Sequence, residues 1–180
     1  GKDVTDEEFQ NHYNGRTIQE VILELKPEAD HTEVMRLAEE KEKIYRDLYS
    51  KDLAPTPGLM EFLPLAKKAG LKMAVATSAI TANADFTLDG LNIRGYFDAV
   101  IDSTMVIKGK PDPQIYLKAA EELNISPENC VVLEDALAGI QSAKSAGMDV
   151  IGLHTSLKKE ELPDGLLMKI KNFHELNESA

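Results

Sequence analysis

After residue 58 the sequence alternates between helical patterns and short apolar runs. Apolar residues recur at helical spacing over residues 59–68, 81–91, 112–124 and 136–147. Apolar runs separated by helices of this length are typical of a parallel sheet with helices on both faces. We therefore predict an α/β fold with a Rossmann-like parallel sheet, whose ligands bind at the carboxyl ends of the strands. The runs are LKMAVAT (71–77), YFDAVID (96–102), CVVLED (130–135) and DVIGL (149–153), and LLMKI (166–170) is compatible with a further short strand.

The first 50 or so residues have a different character. Residues 5–52 are strongly charged, contain no convincing strand and carry apolar residues at helical spacing. The proline-rich stretch LAPTPGL (53–59) separates them from the alternating region. We therefore expect two domains, a helical one at residues 1–54 and the α/β core at residues 55–180.

Composition excludes several classes of function. The chain has 20 basic and 31 acidic residues and a net charge of −11, with no basic cluster, so we expect neither a nucleic-acid nor a membrane partner. No apolar run approaches the roughly 20 residues that span a bilayer. The single cysteine, Cys130, rules out an internal disulfide framework and favours a cytoplasmic protein.

Polar residues follow three of the predicted strands. Thr77 and Ser78 end the first, Glu134 and Asp135 end the third, and Lys110 lies in a short loop after the second. Hydroxyl and backbone N–H groups can bind phosphoryl oxygens, a lysine offsets their charge, and paired carboxylates can hold Mg²⁺. Each residue taken alone also fits a solvent-exposed strand end or surface position. Together they predict a phosphate site beside a divalent cation.

The same residues carry a resemblance to a known family. Thr77, then Lys110 in GKPDPQIYLKAA, then LEDALAGIQSAKSAG resemble three motifs of the haloacid dehalogenase-like (HAD) superfamily, in its phosphatase and β-phosphoglucomutase-like branch. PTPGLMEFLPLAKKAGLKMAVATS also resembles the linker, helix and strand of that branch. The resemblance implies that Thr77 and Lys110 act on the transferring phosphoryl group, that Ser78 offers it a backbone N–H, and that Glu134 and Asp135 bind Mg²⁺.

The resemblance also assigns a role to the N-terminal region. Residues 1–54 resemble the α-helical cap that these enzymes insert after the first core strand, here incomplete at its start. The segment NGRT lies where the family has its substrate-specificity loop, so Gly15 and Arg16 are candidate substrate-binding residues. A solvent-exposed loop arginine is the alternative for Arg16. The implied substrate is a small phosphorylated metabolite, such as a sugar phosphate.

One family motif is absent from the sequence. The family's nucleophile and its general acid–base are the two aspartates of a first-strand DxD motif, and no DxD occurs in these 180 residues. We therefore expect the core to lack its central first strand, the nucleophile to lie outside this sequence, and these residues alone to be inactive. The alternatives are a β-phosphoglucomutase-like mutase and a non-catalytic fragment or pseudoenzyme that binds phosphate ligands or a protein partner.

Overall fold

The computed structural model of the chain describes Thr5 and residues 18–177, apart from the side chain of residue 20. The chain divides into two compact units between Asp52 and Leu53. Within the described residues, the first unit holds only helices and the second holds all the strands. No helix in this part of the chain is long and apolar enough to cross a bilayer.

The first unit contains a pair of helices in its described part, α1 (Ile18–Leu25) and α2 (His31–Tyr49). Asp30 caps α2, because its carboxylate accepts a hydrogen bond from the backbone N–H of Glu33 at 2.8 Å. The pair is held together by a small apolar cluster of buried side chains, formed by Ile22, Ala29, Val34 and Ala38. The described residues of this region are therefore helical, as their apolar spacing predicts.

The second unit alternates helices and strands in the order that the sequence predicts. Its strands are β1 (Ala74–Ala76), β2 (Ala99–Ile101), β3 (Val131–Glu134), β4 (Asp149–Leu153) and β5 (Met168–Ile170). Its helices are α3 (Leu59–Lys68), α4 (Thr81–Gly90), α5 (Gln114–Leu123), α6 (Leu137–Ser145) and the short α7 (His174–Asn177). Turns of 3₁₀ helix lie at Arg94–Tyr96, Ser103–Met105, Pro127–Asn129 and Lys159–Glu161.

The five strands form two parallel sheets within the described residues. β1 pairs with β2, so that Ala74 lies opposite Ala99. β4 lies between β3 and β5, and Glu134 at the end of β3 lies opposite Gly152. β1 and β3 do not pair with each other, so each has only one neighbouring strand in this part of the chain.

The two sheets nevertheless share one hydrophobic core. Ile101 of β2 and Val132 of β3 belong to the same buried cluster, and the alanines of β1 pack against it. Helix α5 contacts β1 and β2, while α6 contacts β3 and β4. The start of α5 lies at the carboxyl end of β3, because the hydroxyl of Tyr116 in its first turn donates a hydrogen bond to Glu134.

A buried carboxylate fixes the carboxyl end of β2. Asp102 is 1% exposed, and its Oδ1 accepts hydrogen bonds from the backbone N–H and the hydroxyl of Thr104, at 2.8 and 2.6 Å. Its Oδ2 accepts a hydrogen bond from the hydroxyl of Thr81 at 2.7 Å, which ties β2 to the first residue of α4. Burial alone would raise the pKa of Asp102, but the hydrogen bonds from Thr104 and Thr81 outweigh it and lower that pKa below its usual value.

We expect Asp102→Asn to reduce the free energy of unfolding by about 2 kcal/mol at neutral pH, because an amide nitrogen replaces one buried acceptor oxygen. Since the folded-state pKa of Asp102 is lowered, its contribution is present above the unfolded pKa and is lost as the pH falls below about 4. Urea unfolding of both proteins at pH 7 and pH 3.5 tests this. A stability difference that does not shrink at the lower pH would contradict it.

Candidate active site

Lys110 links the carboxyl ends of β1 and β3. Its Nζ donates a hydrogen bond to the backbone oxygen of Ala76, the last residue of β1, at 3.2 Å. The same Nζ lies 2.5 Å from Oε1 of Glu134, the last residue of β3. Both side chains are nearly buried, with 13% of Lys110 and 9% of Glu134 exposed. The lysine predicted from the sequence is therefore held at the point where the two sheets meet.

The carboxylate of Glu134 is fully hydrogen-bonded. Its Oε1 accepts from Lys110 and, at 3.0 Å, from the hydroxyl of Tyr116. Its Oε2 accepts from the backbone N–H groups of Asp135 and Ala136, at 2.7 and 3.0 Å. A carboxylate has about four acceptor positions, and all are used here. Glu134 thus has no oxygen lone pair left for a metal ion in this arrangement.

Tyr116 is a member of the site that the sequence analysis missed. It lies in the first turn of α5, is 5% exposed, and its ring centroid is 4.8 Å from Nζ of Lys110. Burial first, and then the negative charge of Glu134, raise the pKa of Tyr116 well above its usual value, so that its hydroxyl stays a neutral donor. The one available signal was that a buried tyrosine hydroxyl needs a hydrogen-bond partner.

We expect Tyr116→Phe to lower the free energy of unfolding by about 1.5 kcal/mol, because it removes a hydrogen bond to a buried carboxylate while keeping the ring below Lys110. Tyr96→Phe is the matched control, since Tyr96 also lies below a lysine, Lys67, and its hydroxyl makes no hydrogen bond among the described residues. Urea unfolding of the two variants measures the difference. Equal small effects would show that the Tyr116 hydroxyl does not support Glu134.

Asp135 differs from its neighbour Glu134. Its Oδ2 accepts hydrogen bonds from the hydroxyls of Thr155 and Ser156, at 2.9 and 2.6 Å, and Oδ1 accepts none from the residues described. No group of three or more His, Cys, Asp or Glu side chains within these residues could hold a metal ion. One free carboxylate oxygen nevertheless suits Mg²⁺, which proteins commonly bind through one or two carboxylates, with water and substrate phosphate as the other ligands.

Thr77 and Ser78 follow β1 directly. The backbone N–H of Thr77 donates to the oxygen of Ile101, and its hydroxyl oxygen accepts from the N–H of Ala79 at 3.1 Å. Neither the backbone N–H nor the hydroxyl of Ser78 is hydrogen-bonded to another described residue, so both can bind a ligand. The other two candidate residues, Gly15 and Arg16, lie outside the described residues.

The fold and the motifs agree with comparisons to known proteins. The family described as "Haloacid dehalogenase-like hydrolase" matches residues 1–153. A crystal structure of a HAD hydrolase from Entamoeba histolytica superposes with a TM-score of 0.85 at 32% sequence identity, covering 97% of this chain and 81% of that one. These matches confirm the α/β fold that was predicted from the strand pattern and the family that was predicted from the motifs.

Two curated relatives are also similar over about two thirds of the chain. The chain is 40% identical over 116 residues to the "Phosphorylated carbohydrates phosphatase" of Thermotoga maritima, which covers 64% of this chain and 52% of that protein. It is 40% identical over 126 residues to the "Beta-phosphoglucomutase" of Bacillus subtilis, which covers 68% and 54%. The matched region thus spans about half the length of these relatives. Since the family match covers most of the sequence, this chain belongs to the haloacid dehalogenase-like hydrolase family.

Proposed function

We propose that the full-length protein is a Mg²⁺-dependent phosphatase that hydrolyses a small phosphorylated metabolite, most simply a sugar phosphate. The observation that carries this proposal is the buried Lys110–Glu134 pair at the carboxyl end of the sheets, with a free carboxylate oxygen of Asp135 one residue away. A fixed positive charge beside a metal-binding oxygen stabilises the charge that develops on a transferring phosphoryl group. The phosphatase named among the relatives supports the substrate class.

Each residue of the site has a separate role in this proposal. The hydroxyl of Thr77 and the backbone N–H of Ser78 bind phosphoryl oxygens, and Lys110 offsets their negative charge. Asp135 holds Mg²⁺, which when bound supplies further positive charge at these oxygens. We assign Glu134 to orienting Lys110 rather than to the metal, because its carboxylate is already fully hydrogen-bonded.

The nucleophile is proposed to come from a strand between β1 and β3. Among the described residues both strands lack a partner on one side, and the backbone oxygen of Ala76 binds Lys110 there instead of a strand. A carboxylate on such a strand would lie beside Lys110. In the first step the carboxylate oxygen attacks phosphorus, the bond from phosphorus to the alcohol oxygen breaks, and a general acid protonates the leaving alcohol oxygen. In the second step water attacks phosphorus, which releases phosphate and restores the carboxylate. Residues 1–180 alone are accordingly expected to be inactive.

The proposal places substrate selection in the first unit. Gly15 and Arg16 are the candidates, because a guanidinium can bind a phosphate or carboxylate group through two parallel hydrogen bonds. The proposed location is the cytoplasm, since a single cysteine is typical of proteins in a reducing compartment. An Arg16→Ala change should raise KM for the substrate more than it lowers kcat.

Phosphate release by the full-length protein, measured on a panel of sugar phosphates with Mg²⁺ and with EDTA, tests the function. Activity should need Mg²⁺ and should be lost in Asp135→Asn. Asp149→Asn is the matched control, since Asp149 is an exposed aspartate at the opposite end of the neighbouring strand β4. Turnover without a divalent cation, or full activity in Asp135→Asn, would refute the proposal.

A second candidate function is transfer of the phosphoryl group to another hydroxyl of the same sugar. The 40% identity to a protein named beta-phosphoglucomutase favours it. Product analysis with β-glucose 1-phosphate separates the two functions. Free phosphate would identify a phosphatase, and glucose 6-phosphate would identify a mutase.

A further inference from the structure

The loop after β4 reaches the side chain of Asp135. Because β3 and β4 are parallel neighbours with Glu134 opposite Gly152, the residues that follow each strand emerge side by side. Thr155 and Ser156 lie in this loop, and both hydroxyls donate to the same atom, Oδ2 of Asp135, at 2.9 and 2.6 Å. The carboxylate is thereby held through one oxygen only.

We propose that Thr155 and Ser156 are positioning residues for a divalent cation that binds Oδ1 of Asp135. This inference rests on the proposed function, which assigns Asp135 to the metal. Two donors on Oδ2 fix the rotation of the carboxylate about its terminal bond and leave Oδ1 as the oxygen with free lone pairs. Hydrogen bonds of this kind, made to the ligand rather than to the metal, commonly set metal affinity.

The surroundings of the two hydroxyls support this role. Thr155 and Ser156 are exposed, and their hydroxyls make no other hydrogen bond within residues 18–177, so the loop does not need them for its own conformation. The backbone of Asp135 is fixed separately, because its N–H donates to Oε2 of Glu134. Because both the backbone and Oδ2 of Asp135 are held by hydrogen bonds, its carboxylate is already oriented before a metal ion binds. This lowers the entropic cost of binding.

Binding of Mn²⁺ to the full-length protein tests the inference directly. The signal of free Mn²⁺ in electron paramagnetic resonance gives a dissociation constant, and competition with Mg²⁺ gives the affinity for the second ion. We expect the double variant Thr155→Val/Ser156→Ala to bind Mn²⁺ about tenfold more weakly than the unchanged protein. Thr155→Ser keeps a hydroxyl and should bind normally. Ser145→Ala should also bind normally, since it removes an exposed hydroxyl at the far end of α6.

The single variants and Asp135→Asn distinguish the failures. Thr155→Val and Ser156→Ala should each give a smaller loss than the double variant, which keeps the test valid if the double variant folds poorly. Unchanged or tighter Mn²⁺ binding in the hydroxyl variants, together with weak binding in Asp135→Asn, would overturn the positioning role and leave the proposed function intact. Equal Mn²⁺ binding in Asp135→Asn and the unchanged protein would overturn the metal assignment and this inference with it.

Discussion

A Lys110→Met variant of the full-length protein is expected to lose turnover by about a hundredfold to a thousandfold, the usual effect of removing one group that stabilises transition-state charge. Methionine is similar in length and apolar, so it fills the same space without the charge. It also leaves Oε1 of Glu134 with Tyr116 as its remaining donor and removes the link to Ala76 at the end of β1. The loss should appear mainly in kcat, because the charge on the phosphoryl group develops during transfer.

Lys108→Met is the matched control for this measurement. Lys108 lies in the same loop, but its side chain is 74% exposed, and its only ion pair with a described residue, Asp112, is 3.9 Å long. Removing its charge should leave both kcat and the free energy of unfolding nearly unchanged. A loss of similar size in Lys108→Met would mean that the loop's overall charge matters rather than the position of Lys110. Normal turnover in Lys110→Met would contradict the proposed role.

Several element boundaries could be predicted from the sequence because local signals agree with the tertiary structure. Helix α3 runs over Leu59–Lys68, as predicted, since Gly58 precedes it and Gly70 follows it in backbone conformations with positive φ. Strand β4 covers Asp149–Leu153, the whole of the predicted run. This strand has a neighbour on each side, so every residue of the run finds a pairing partner.

Strand β1 is shorter than predicted, and the local sequence pattern does not indicate why. The apolar run covers residues 71–77, but only Ala74–Ala76 form the strand. Met73 exchanges hydrogen bonds with Asp98 instead, through the aspartate's side chain as well as its backbone. β1 has a single neighbour among the described residues, so its length is set by how far that neighbour extends. Strand length here depends on the pairing partner rather than on apolar content.

For the site, the sequence predicts which strand ends come together but not the contacts of each side chain. The carboxyl-end rule brought Lys110 and Glu134 together, and the structure shows them in contact. The different surroundings of Glu134 and Asp135 could not be predicted, because adjacent residues at a strand end point to opposite sides and meet different elements. Glu134 accepts a hydrogen bond from Tyr116 of α5, whereas Asp135 accepts hydrogen bonds from the loop after β4. Tyr116 was missed because it lies inside a helix rather than at a strand end. The Thr155–Ser156 pair was missed although it closely follows the predicted strand DVIGL.

Gly139→Ala is expected to have the largest effect on stability, a decrease of about 3 kcal/mol in the free energy of unfolding. Gly139 is buried in α6, and a methyl group there would overlap the side-chain carboxylate of Glu134. A flexible side chain could usually move aside, but this carboxylate is held by hydrogen bonds at both oxygens. Moving it would leave the nearly buried Lys110 without its counter-charge. Urea unfolding measures the loss, and turnover should fall in the same variant.

A double-mutant cycle identifies the cause of that loss. Glu134→Ala removes the carboxylate with which the new methyl group would overlap. Gly139→Ala added to Glu134→Ala should therefore cost little, because alanine also favours the helix. The two changes should show a coupling energy of about 2 to 3 kcal/mol.

Gly109→Ala is the control for the glycine change itself, since it lies next to Lys110 and nothing is within 4 Å of the added carbon. It should change stability by less than about 0.5 kcal/mol. If Gly139→Ala were equally destabilising with and without the Glu134 side chain, the loss would not come from overlap with that carboxylate. Gly139 would then be needed only for the packing of the α6 backbone. The dependence of the effect on Glu134 would instead show that the glycine makes room for the carboxylate that holds Lys110.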